Sequence, residues 1–122
     1  MRCSKFVNAA LKQNEETKLF YTNSKKEIVE CEFTDHLRKR FVERFKKLTD
    51  ADLNSEQTNL AIINLFNSSK RIGKSNDEYK KRNKKHGGAS VYFQNVHLVF
   101  VVENCQVKTV EIVTERELNK GE

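Results

Sequence analysis

Hydrophobic residues recur along this chain with two periods, and the period changes mark its elements. Ser4 to Gln13 (SKFVNAALKQ) brings Phe6, Val7, Ala10 and Leu11 onto one helical face, with Ser4 placed as N-cap. Thr17–Thr22 and Lys26–Phe33 are rich in β-forming residues and flank Asn23-Ser24, which predicts a hairpin. In its second strand Val29, Cys31 and Phe33 share one face, while Ile28, Glu30 and Glu32 share the other. Thr34 or Asp35 then caps a helix running to about Leu48. Leu37, Phe41, Phe45 and Leu48 form its buried stripe, at i, i+4, i+8 and i+11.

A further helix begins near Asp52, Asn54 or Ser55 and ends near Asn67, with Leu60, Ala61, Ile62, Ile63, Leu65 and Phe66 apolar. After it the pattern fades. The polar run to Gly87-Gly88 predicts a mobile basic loop over about 68–88, with at most a helical turn around Asn76–Arg82. From Ala89 onward ASVYFQ, VHLVFVVE and QVKTVEIVT alternate as three strands, parted by Asn95 and by Asn104-Cys105. The expectation is a single α+β domain spanning 1–122. Its antiparallel sheet combines the terminal meander with the N-terminal hairpin, and the helices pack on one face.

Composition adds the question of partner. With 23 Lys+Arg against 17 Asp+Glu the formal charge is +6 in 122 residues. The excess is concentrated: segment 36–47 (HLRKRFVERFKK) carries +5 and segment 68–86 (SSKRIGKSNDEYKKRNKKH) carries +6, leaving −5 for the rest. Two basic segments predict a basic face if the fold joins them, and two separately solvated charge runs if it does not. Nucleic acid is the leading polyanion. Arg38, Lys47, Lys70, Arg71, Lys80, Lys81, Arg82, Lys84 and Lys85 are the candidate RNA contacts. No apolar run is long enough to span a bilayer and no secretory segment opens the chain, so the expectation is a cytoplasmic protein without a membrane partner. Cys3, Cys31 and Cys105 are odd in number and widely spaced, which fits neither a disulfide framework nor a zinc site.

Nucleotide loops, zincin helices and nucleophile elbows are all missing from the sequence. What remains is a set that needs no metal or cofactor: His36, Arg40, Arg44, Lys47, His86, Tyr92, Gln94 and His97. Metal-independent RNA cleavage uses the neighbouring 2′-OH as nucleophile. The protein must move protons, which suits histidine, and stabilise an anionic phosphorane, which suits arginine or lysine. Each residue also has a plain structural reading. His36 can be a surface side chain, Arg40 and Arg44 can pair with Glu43, His97 can face a sheet, and His86 can be an inert loop residue.

The stretch FTDHLRKRFVER (Phe33–Arg44), taken with VYFQNVHLVFVVENCQVKTVEIV (Val91–Val113), resembles the small RelE-like and phage-type ribonucleases of the barnase–colicin–RelE superfamily. The shared feature is a strand leading into an H-x3-R-x3-R helix, followed by a terminal antiparallel meander. The resemblance implies His36 as general acid or base, Arg40 on the scissile phosphate and Arg44 at the third motif position. Its sheet partner would be His86, Tyr92 or His97. It also implies an inhibitory antitoxin or immunity protein as partner. The long basic segment 68–86 and the N-terminal helix depart from the family pattern. A non-catalytic nucleic-acid-binding or anti-defence protein is the alternative, and a module for an acidic protein partner is the third.

Overall fold

The computed structural model describes residues 4–113. Its elements run α1 (Ser4–Ala10), β1 (Leu19–Thr22), β2 (Ile28–Phe33), α2 (Asp35–Thr49), α3 (Ser55–Asn67), β3 (Lys70–Arg71), α4 (Asp77–His86), β4 (Val91–Asn95), β5 (Leu98–Glu103) and β6 (Gln106–Ile112). Local chemistry explains most boundaries. The Thr34 hydroxyl accepts the Leu37 N–H at 3.0 Å to start α2, and Asp50, in the left-handed region, returns its N–H to the Lys46 carbonyl to end it. Asn54 and Gln57 close a reciprocal capping box on α3. The Asn23 carboxamide accepts from Lys25 and Glu27 and so builds the β1–β2 turn.

The fold is α+β, as the pattern predicts. Its sheet, however, is mixed. The strand order is β1-β2-β6-β5-β4-β3, and β2 joins β6 in parallel through two residue pairs, Glu32–Gln106 and Phe33–Val107. The meander β4–β5–β6 and the β1–β2 hairpin are antiparallel. The parallel junction is possible because α2, α3, β3, α4, β4 and β5 all lie between β2 and β6 along the chain. Such a crossover leaves no tight turn between the two strands.

The helices also occupy both faces. Leu37, Phe41 and Phe45 of α2 and Ile62, Leu65 and Phe66 of α3 pack on Leu98, Phe100, Val102, Val107 and Val110. Tyr92, Val99, Val101 and Val113 point the other way and form a second, smaller core with Ile72 and Tyr79. Hence β5 reads LVFVV without polar interruption: both of its faces are covered. The buried stripe of α2 continues to Thr49, whose hydroxyl bonds the Phe45 carbonyl, while Leu48 is only half buried.

The segment expected to be a loop carries β3 and α4 instead. Asn76 caps the Glu78 N–H at 2.7 Å, acids fill the first turn, Lys84, Lys85 and His86 fill the last, and Gly87 ends the helix at positive φ. This charge order complements the helix dipole. Those signals are in the sequence, but α4 lacks the apolar stripe by which helices are usually recognised.

Candidate functional site

The two basic segments meet at one place. Arg44 and Lys47 from the last turns of α2 face Lys81, Arg82 and Lys85 of α4 across a cleft of about 400 Å³. Its floor is Glu111 and Ile112, at the end of β6. The cleft opens there because β2 pairs with the first residues of β6, and among the described residues no strand flanks β6 beyond Val107 on that side. Five basic residues line it against one carboxylate, and Ile112 is the lone apolar lining residue. An arrangement of this kind attracts a chain of negative charges and offers no aromatic ring for a base to stack on.

A buried ion network sets the geometry beneath. Arg82 is 4% exposed and grips three groups. It pairs with Glu78 one turn back on α4, its Nε lies 3.1 Å from Glu111 Oε1, and its Nη2 donates to the Ile112 carbonyl at 3.1 Å. Glu111 Oε2 in turn receives Lys85 Nζ at 2.9 Å and lies 3.0 Å from His86 Nε2. Burial pushes the Glu111 carboxyl upward, but the hydrogen bonds and charges of Lys85 and His86 outweigh it and hold the group below the usual glutamate value. The network thereby nails α4 to β6 and fixes Lys81 and Lys85 on the cleft side.

Arg82, a candidate RNA contact, lines the cleft as a buried strut with 4% of its surface exposed. Tyr92, a candidate catalytic residue, is not exposed to the cleft. It is fully buried, edge-on to Tyr79 with ring centroids 5.3 Å apart. Burial raises its hydroxyl pKa, with the Ser90 hydroxyl acting in the opposite direction. Both burials share a cause. Helix α4 covers the second sheet face, and a helix cannot be foreseen to bury side chains while its segment is read as a loop.

The expected histidines are not brought together. His36 is exposed at the start of α2, in a separate depression with Thr34, Glu103, Asn104, Gln106 and Lys108. His97 lies in the Val96–His97 turn between β4 and β5 rather than within a strand, and its carbonyl accepts the Val113 N–H at 2.9 Å. These two sites sit at opposite ends of the six-residue β5, so about 20 Å of strand separates them. His86 alone adjoins the cleft, through Glu111.

Arg40 and Arg44 both reach Glu43, at 2.9 and 3.6 Å, and the Arg40 hydrogen bond holds that exposed carboxyl below its ordinary range. Only Arg44 of the two lines the cleft. Arg38 turns toward α3, with Nη2 3.4 Å from the Ser55 hydroxyl. Lys80 and Lys84 are exposed on α4. Lys70 and Arg71 lie on β3 at the far edge of the sheet, and Gln94 pairs with Lys70 there.

No family model, curated protein or solved structure matches this chain. The site must therefore be argued from its own chemistry. Glu111 is the member that sequence reasoning missed. Its signal is an acid between valine and isoleucine in TVEIV, on the strand face shared with Val113.

Proposed function

We propose that this protein binds RNA, with the α2–α4 cleft taking the sugar-phosphate backbone. The observation that carries the reading is the convergence of Arg44 and Lys47 with Lys81 and Lys85. These residues come from two segments that hold +11 of charge between them in a chain of +6. Contacts of this kind position a backbone and carry little base information. The test is fluorescence anisotropy with a labelled single-stranded RNA across a salt series. The Arg44→Ala/Lys81→Ala double variant should lose most of the affinity, while Lys70→Ala/Arg71→Ala at the far edge should lose little. Equal losses, or wild-type binding that is flat between 50 and 200 mM salt, would refute the assignment.

A second reading, metal-independent RNA cleavage, draws support from one feature: His86 is hydrogen-bonded to Glu111, which lies on the cleft floor beside Lys85. RNA brings its own nucleophile, so a proton acceptor and cations to hold the phosphorane complete the requirement. Here His86, rather than the distant His36, adjoins the cleft through Glu111. Cleavage in EDTA leaving 2′,3′-cyclic phosphate ends, abolished by His86→Ala and kept by His36→Ala, would support this reading. Loss with His36→Ala alone would return the chemistry to the H-x3-R helix and the resemblance it carries. Intact RNA at all protein concentrations leaves the binding reading.

A further inference from the structure

We infer that Cys31 and Cys105 form a redox-active pair that closes into an intramolecular disulfide. The parallel junction sets Glu32 opposite Gln106, and the Glu32 N–H bonds the Cys105 carbonyl at 3.0 Å. One residue before these pairs, Cys31 on β2 meets Cys105, the turn residue that leads into β6. Neighbouring strands lie about 4.8 Å apart, within the Cα separation of about 4.4–6.8 Å that a disulfide spans.

A second observation singles out Cys105. It occupies the turn between β5 and β6, where Asn104 has φ 54° and Cys105 has φ 59°. A two-residue turn with both central residues in the left-handed region favours Asn followed by Gly. Asn104 fits that rule and Cys105 breaks it. A side chain kept in a strained position where glycine would relieve the strain points to a use for that side chain. The thiol is exposed, whereas Cys31 is 4% exposed.

Exposure and acidity assign the order of events. Burial, then the neighbouring Cys105 and Glu30, push the Cys31 thiol up to about 11, so it does not initiate. Cys105 thiolate attacks one sulfur of a small-molecule disulfide such as oxidised glutathione, forming a mixed disulfide and releasing one glutathione thiolate. Cys31 then gives its proton to solvent and attacks Cys105 Sγ, which forms the Cys31–Cys105 bond and releases the second glutathione. Two protein thiols are oxidised and one glutathione disulfide is reduced to two thiols. The product ties the β1–β2 hairpin to β6 at the two-pair junction that already joins them.

The test uses the full chain in a Cys3→Ala background, incubated with oxidised glutathione at pH 8 and analysed by intact mass and non-reducing peptide mapping. The expected product has lost about 2 Da and contains a cross-linked peptide pair holding Cys31 and Cys105. Cys31→Ser should stop at a glutathione adduct on Cys105. Cys105→Ser, a surface change that leaves the core intact, should slow modification of Cys31 by about tenfold or more in the folded protein. Glutathione adducts without a cross-link in the parent, disulfide-linked dimers, or both thiols still free would each overturn the inference.

Discussion

Replacing Glu111 with glutamine should move stability and RNA affinity in opposite directions. In the folded protein this carboxylate accepts from Lys85 and His86 and faces Arg82 Nε at 3.1 Å, with its side chain 14% exposed. Removing one member of a buried ion pair costs about 3–5 kcal/mol. Arg82 would keep Glu78 and the Ile112 carbonyl, and glutamine keeps an oxygen acceptor, so a loss of about 2–3 kcal/mol, below that range, is expected. For a domain of this size that is a Tm fall of about 8–12 °C. At the same time Lys85 loses the carboxylate that holds it and becomes available to phosphate.

If the cleft engages about three phosphates with Lys85 restrained and about four with it released, the slope of log affinity against log salt steepens from about −2.1 to about −2.8 for single-stranded RNA. Raising salt from 50 to 200 mM would then weaken wild-type binding by about 18-fold and the variant by about 50-fold. Thermal melts followed by circular dichroism and anisotropy titrations at four salt concentrations measure both effects on the same preparation. A variant that folds but binds RNA more weakly, or with an unchanged slope, would show that Glu111 does not restrain a phosphate-binding lysine. An unchanged Tm would show that the ion network does not hold α4.

Two further outcomes follow from the packing and the titration. Phe41, fully buried with ring centroids 5.5 Å from Phe45 and 6.4 Å from Phe100, should cost about 3–5 kcal/mol as Phe41→Ala; a loss of less than about 1 kcal/mol by urea denaturation would contradict the core assignment. Because the Glu111 carboxyl lies below its usual value in the fold, its contribution is fully present above the unfolded-chain glutamate pKa. It is lost as pH falls through the folded value. Stability measured from pH 6 to pH 3 should therefore decline less in Glu111→Gln than in wild type, and parallel declines would contradict this.

The sequence alone determined the elements whose hydrophobic period is strong. The α2 stripe of Leu37, Phe41 and Phe45, the α3 run and the three terminal strands are all written locally, because side-chain periodicity and capping need only neighbouring residues. The +5 and +6 segments were equally legible as charge. Tertiary structure decided how these parts combine. Register placed β2 parallel to β6, which leaves the end of β6 unflanked among the described residues and brings the Glu32 N–H onto the Cys105 carbonyl. Helix α4 docks through Tyr79, packed on the second core, and through Arg82, which pairs with Glu78 inside the helix and meets Glu111 only once the sheet has formed. The same docking buried Arg82 and Tyr92 and left Arg44, Lys47, Lys81 and Lys85 around the cleft. The histidines, evenly attractive as residues, ended at three different places because strand length and turn position, not residue type, set the distance between them.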